Sequence, residues 1–230
     1  MERLGYDAVT LGRAELTDWK LVQLLLAEDS LHVVTTNLER RVAGGWEPVG
    51  VRSRVLERNG LRIGILGVTM DSQMREWMCR AIGDSLRLLP PARAARSAID
   101  ELPGRIDLIL VLLAGNDDDL ESFAASVPEA DVIVGGGCAA TSCTPAPGPG
   151  RIGRAVVNTA GTGGMSVGLT KLVIAPRRGI LEYSATMTVL RPGAPKDTLI
   201  ARDALHVMKE VERLQEAYAK RVSRGHRATR

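Results

Sequence analysis

Apolar residues along this chain fall into short continuous runs, separated by stretches in which they recur every three or four positions. YDAVTLG (6–12), IDLILVLLAG (106–115) and ADVIVGGG (130–137) are runs that end in glycine, which predicts strands buried on both faces. HVVTTNL (32–38) is rich in β-branched residues and predicts another strand. VGVRSRVLE and LRIGILGVT meet across Asn59-Gly60, the strongest hairpin signal in the chain. Between these runs the spacing predicts a helix capped at Thr17 or Asp18, with Leu21, Leu24, Leu25 and Leu26 on its buried side. Further helices are expected over 72–83, over 91–102 behind Pro90-Pro91, and over 117–129, whose carboxylates gather at the N-terminus. Alternation of strand and helix argues for an α/β sheet with helical layers.

Past residue 140 the pattern changes. TPAPGPG (144–150) is a loop, and AVVNTAG, SVGLTKLVIAP and ILEYSATMTVL follow with only turns between them, which predicts antiparallel strands. A last helix is expected over 197–222, with Ile200, Ala204, Val207, Val211, Leu214 and Tyr218 at helical spacing. Two to three heptads are few for a coiled coil, so this face is expected to pack on the sheet. The reading is of one domain over 1–222 and a basic tail over 223–230.

Composition narrows the function classes. Hydrophobic residues at 45% and charged residues at 25% of 230 residues are ordinary globular values. No apolar run approaches the roughly 18 residues of a membrane helix, so no membrane partner is expected. Aromatic residues are only 3% of the chain, too few to stack single-stranded bases, and no nucleic-acid partner is expected. The net charge of +3 collects in the tail, where Lys220, Arg221, Arg224, Arg227 and Arg230 stand without an anion. That pattern fits a solvated terminus, with an acidic partner as the other reading.

LGYDAVTLGRAEL, VVTTNL, LRIGILGVT, IDLILVLLAG and ADVIVGGG, in that order, resemble the calcineurin-like metallophosphoesterases. Among these the chain is most similar to the catalytic domain of the bacterial periplasmic 5'-nucleotidases, over residues 4 to 190. The resemblance implies an α/β/β/α sandwich with mixed sheets, and hydrolysis of phosphate monoesters by two divalent metals on loops at the strand ends. Such ions clamp the phosphate and generate a hydroxide, which takes several Asp, His and Asn ligands.

The ligands that the resemblance calls for are replaced. Gly-Asn-His-Glu is expected after the first run, and Gly12, Arg13, Ala14 and Glu15 stand there. A metal-binding His is expected at Ala114 or Gly115, and a His-x-His pair where Gly137, Cys138 and Ala139 stand. The family's first two motifs, Asp-x-His and Gly-Asp, belong upstream of Met1, so the first βαβ unit is expected to be missing. A late start, a partner or homodimer across the exposed edge, and a trimmed fold are three explanations. The compartment is expected to be cytoplasmic as given, or periplasmic if the true start lies upstream. His32, His206 and His226 lie away from these positions and read as ordinary residues. The expectation is a degenerate domain without metal cofactor and without phosphatase activity.

Cys138 and Cys143 are five residues apart in a Gly-rich loop that follows a buried strand. Such a pair can reach the Cα separation of roughly 5.5 Å that a disulfide needs. A redox-active dithiol at the abandoned site is therefore one reading, and plain loop residues the other. Cys79 reads as a buried apolar residue. Asn116-Asp117-Asp118-Asp119 is better explained by helix capping than by a cation. Gly161-Thr162-Gly163-Gly164 lacks the Lys-Ser/Thr of a phosphate loop and reads as a turn. A partner-binding subunit, using the sheet edge or the last helix, is the third functional reading.

Overall fold

Asn59 (φ 51°) and Gly60 (φ 75°) both adopt the left-handed conformation in the computed structural model of the chain. That pairing defines the tight turn which matches strand twist. It joins strands β3 (Ser53–Arg58) and β4 (Leu61–Thr69) in an antiparallel hairpin with Arg58 opposite Leu61. The residues described are 5–16, 22–23, 26–27, 32–70, 85–136, 150–159, 166–175 and 179–190, with the single positions 193, 198 and 209. The chain divides into two compact units, Met1–Val189 and Leu190–Arg230, and every element named below lies in the first.

From β4 the sheet grows by parallel pairing to β6 (Leu108–Ala114), β7 (Val132–Gly136) and β9 (Ala155–Thr159). The antiparallel strand β8 (Gly150–Ile152) closes the far edge, giving the order β3-β4-β6-β7-β9-β8. Parallel neighbours need crossovers, and helices α2 (Pro91–Asp100) and α3 (Asp117–Ser126) supply two of them. Alternate strand residues Leu66, Val68, Val111, Leu113 and Ile133 pack with Ala95 and Ala98 of α2 and Leu120 and Phe123 of α3 into the main core. Each large side chain buried there contributes roughly 1.5–3 kcal/mol. Asn116 caps α3: its Oδ1 accepts from Asp119 N at 2.8 Å, and Asp119 Oδ2 accepts from Asn116 N at 2.9 Å. The acidic run therefore does serve as a helix start.

The other face of the sheet meets a segment that crosses it. Val33 bridges Val9 and Val34 bridges Val51, each as a single parallel bridge. The runs 6–12 and 32–38 are thus extended segments rather than the regular strands expected. A Cβ at Gly67 would lie 2.0 Å from Val34 O, so only glycine lets the crossing backbone approach β4. Thr36 N then donates to Gly67 O at 2.6 Å, and Gly67 N donates to Thr36 Oγ1 at 3.0 Å. Beyond the crossing lies a three-stranded sheet of β1 (Leu38–Val42), β2 (Gly45–Pro48) and β5 (Leu86–Leu88), order β2-β1-β5. A second, smaller core of Leu11, Leu16, Val22, Val33, Leu38, Val49 and Leu86 joins it to the crossing segment.

β10 (Ser166–Ala175) and β11 (Gly179–Val189) form a long antiparallel hairpin, as expected, while β9 does not join them. β9 instead inserts between β7 and β8, parallel to β7 and antiparallel to β8, the chain turning back from β8 through Gly153 (φ 58°). The hairpin touches the main sheet through Asn158, whose Nδ2 donates to Thr170 Oγ1 at 2.8 Å. Its other side leaves Val167, Leu169 and Val173 about half exposed, at 53%, 52% and 51%. No helix among the described residues is long and apolar enough to cross a membrane.

A short helix not foreseen, α1 (Arg13–Leu16), starts directly behind Gly12, where the Glu15 carboxylate turns back to accept from Gly12 N at 2.9 Å. The helix expected behind it has its cap, Thr17 or Asp18, outside the described residues, and its described positions 22–23 and 26–27 are helical. Of the leucines assigned to its buried side, Leu26 is half-buried, while Val22 is fully buried. Leu21, Leu24 and Leu25 lie outside the described residues, as do the helix expected over 72–83 and, apart from the helical positions Thr198 and Lys209, the helix expected over 197–222.

Candidate functional site

Strands β4, β6 and β7 end level with one another, Thr69 opposite Ala114 and Ala114 opposite Gly136. Parallel strands with aligned C-terminal ends make a rim, the usual place for a ligand in a sheet of this kind. The chain before α1 arrives at the same rim, because Thr69 Oγ1 donates to Leu11 O at 2.9 Å. Gly12 is buried there, and a Cβ on it would lie 3.7 Å from Ala114 Cβ. Gly115 N donates to Gly136 O at 2.9 Å, and Met70 N donates to Ala114 O at 2.8 Å. Gly12, Ala114, Gly115 and Gly136, widely separated in sequence, are therefore neighbours.

The rim's chemistry is spare. Arg13 is exposed, and Ala14 contributes its backbone to α1. Glu15 spends one carboxylate oxygen on Gly12 N, the bond that starts α1. Asp119, buried, spends Oδ2 on Asn116 N, and a Cβ on Gly115 would lie 3.0 Å from that oxygen. Among the described residues no group of three His, Cys, Asp or Glu is disposed to hold a metal ion. Gly137, Ala139, Cys138 and Cys143 lie outside the described residues, as do Cys79, His206, His226 and the 161–164 turn.

Two divalent ions need a set of oxygen and imidazole donors converging on each. Gly12, Ala114 and Gly115 carry no side-chain donor, Arg13 is a cation, and Glu15 already accepts a backbone hydrogen bond. The residues at these positions do not fit such a pair of metals.

Sequence reasoning missed the polar groups that hold the rim's walls. Asn37 and Thr69 are wholly buried, and each bonds to backbone from a distant part of the chain. A signal was present in the run Thr35-Thr36-Asn37, a polar triplet ending an apolar stretch. Glu39 was also missed; it is buried and paired with both Arg52 (2.7 Å) and Arg87.

A parallel-cored mixed sheet, helices on one face, and a rim where a Gly-x-x-Glu turn meets the ends of the central strands define the fold of the calcineurin-like metallophosphoesterases. Comparison with solved structures agrees. The chain superposes on calcineurin-like phosphoesterase YfkN from Bacillus subtilis with a TM-score of 0.73 and 15% identity, over 91% of this chain and 71% of that one. It superposes on a 5'-nucleotidase precursor from Thermus thermophilus with a TM-score of 0.69 and 21% identity, over 94% and 45% of the two chains. For the sulfate thiohydrolase SoxB of Thermus thermophilus the TM-score is 0.66 at 15% identity, over 81% and 33%. At these identities the likeness is one of fold. The chain spans a third of the length of SoxB and less than half that of the nucleotidase precursor. No family model matches the sequence, and no curated protein matches it.

Proposed function

We propose that this chain is a 5'-nucleotidase-like protein of the metallophosphoesterase fold that does not act as a phosphatase. The observation that carries this reading is the meeting of Gly12 with Ala114 and Gly115 at the strand ends. Side chains that should converge there on a phosphate are a hydrogen atom, a methyl group and a hydrogen atom. Phosphate release from nucleoside monophosphates, with Mn²⁺, Zn²⁺ or Mg²⁺ supplied, is the test. The expected rate equals that of a chelated control, and turnover abolished by chelation would overturn the reading.

A second reading rests on where β7 ends. Gly136 receives a hydrogen bond from Gly115 at the rim, and Cys138 follows two residues later in the sequence. In this reading Cys138 and Cys143 lose two protons and two electrons to a peroxide or disulfide oxidant and form a disulfide. Alkylation and mass spectrometry before and after reduction test it. Two thiols that stay alkylatable after mild oxidation exclude it.

The half-exposed Val167, Leu169 and Val173 of β10 support a third reading, a homodimer or a partner-binding subunit. Light scattering tests it, and a monomer at all concentrations removes the homodimer.

A further inference from the structure

Away from the rim, a cavity of about 660 Å³ opens beside the crossing segment, and neither Gly12, Ala114, Gly115 nor Gly136 is in its walls. Leu26, Val33 and Val49 give it an apolar side, and His32, Ser53 and Arg54 a polar one. Its volume falls within the range of small-molecule sites.

Arg54 is the unusual member. It lies on β3 opposite Ile65, with Nη1 buried and without a hydrogen-bond partner. Other cations nearby are matched. Arg40, also in the cavity wall, donates from Nε to Glu47 Oε1 at 2.7 Å. Arg52 and Arg87 share Glu39. Among the described residues no carboxylate is paired with Arg54. Nη1 lies behind the wall, out of reach of anything in the cavity. A guanidinium at the wall with no carboxylate beside it still gains when an anion in the cavity pairs with its remaining nitrogens. Arginine's planar fork suits carboxylate and phosphate oxygens, and the Ser53 hydroxyl and His32 imidazole are further donors at the same wall.

We infer that this cavity binds a small organic oxyanion, its head on Arg54 and its apolar body against Leu26, Val33 and Val49. The site is independent of the rim, so its failure would leave the reading of the rim untouched, and its test reads binding rather than phosphate release.

Thermal unfolding of the full chain is followed against inorganic phosphate and, separately, hexanoate, at ionic strength held constant with sodium chloride. The expected result is a saturating rise in Tm of roughly 5 °C with at least one of the two. Which one responds tells a phosphate from a carboxylate head. Arg54→Met is expected to abolish the rise. Arg54→Lys keeps the charge but loses the fork, so it is expected to move the midpoint concentration up by about fivefold or more, and it carries the test if Arg54→Met does not fold. No rise in the native chain, a rise reproduced by chloride, or an unchanged midpoint in Arg54→Lys overturns the proposal.

Discussion

Asn37 holds Thr69 from both sides: its Oδ1 accepts from Thr69 N at 2.9 Å, and its Nδ2 donates to Thr69 O at 2.8 Å. Nδ2 also donates to Leu89 O at 3.2 Å, and the Asn37 carbonyl accepts from Leu89 N at 2.8 Å. One residue therefore binds the end of the crossing segment to the end of β4 and to the chain directly after β5. Asn37→Leu keeps the volume but strands two backbone groups of Thr69 in the interior. Each unsatisfied buried group costs about 1–3 kcal/mol, so a loss of roughly 3 kcal/mol is expected in urea denaturation. A loss below about 1 kcal/mol would show that the clasp is dispensable.

Two glycines near the rim are expected to differ sharply when changed to alanine. At Gly67 the new Cβ would fall 2.0 Å from Val34 O and 2.7 Å from Thr10 Oγ1, and backbone cannot yield as a side-chain tip can. At Gly136 nothing lies within 4 Å. Gly67→Ala is expected to lose about 3 kcal/mol or more, or to fail to fold, and Gly136→Ala to stay within about 1 kcal/mol of the native chain. Comparable unfolding midpoints for the two would contradict the crossing geometry.

Glu39 is a buried carboxylate between two half-exposed arginines: its Oε1 is 2.7 Å from Arg52 Nη2, and its Oε2 accepts from Arg87 Nε at 2.8 Å. Arg87 in turn lies 4.5 Å from the ring of Trp46. Glu39→Gln removes the shared charge and is expected to cost about 1–3 kcal/mol, the arginines recovering part of their solvation because they remain partly exposed. A double-mutant cycle with Arg87→Met measures the coupling, and additive losses would show that the pair contributes nothing.

The β3–β4 turn gives a cleaner local test. Asn59 sits at φ 51°, a conformation that costs a residue with an ordinary Cβ roughly 1–2 kcal/mol. Asn59→Ala is expected to lose about 1 kcal/mol, and Asn59→Gly to be nearly neutral. Equal losses in both variants would mean that the asparagine side chain, rather than its backbone, matters.

Wherever a local rule governs, the structure could be read from the chain. Asn59-Gly60 makes its turn because only such residues enter the left-handed region cheaply. Asn116 and Asp119 start α3 because their side chains reach their own backbone. The apolar runs around Leu110 and Ile133 are strands because helices cover one face and further chain the other. Long-range pairing was not legible in the same way. Nothing local tells β9 to run parallel to β7, since that pairing joins strands separated by a long stretch of chain. β1, β2 and β5 carry charged side chains such as Glu39, Arg40 and Arg87, which mask any alternation until the pairing of Glu39 with two arginines is seen.

The rim was legible only through resemblance. Spacing alone does not bring Gly12 to Ala114, and residues without functional side chains leave no pattern to find. Asn37 escaped for the opposite reason. A buried asparagine looks like a loop residue until its partners, Thr69 and Leu89, arrive from far along the sequence.

The passage of Val34 over Gly67 also constrains how the chain is made. During synthesis Val34 emerges well before the strand it must lie upon, and the crossing cannot close until β4 is out and paired. Contacts between segments so distant raise the entropic cost of the transition state and slow folding. Until then Val34 can bridge Val51 but lacks the strand on which its backbone lies in the finished fold. Nascent chains halted before residue 67 should thus be a target for chaperones, and the interval between the two residues is a period of exposure that the finished molecule no longer displays.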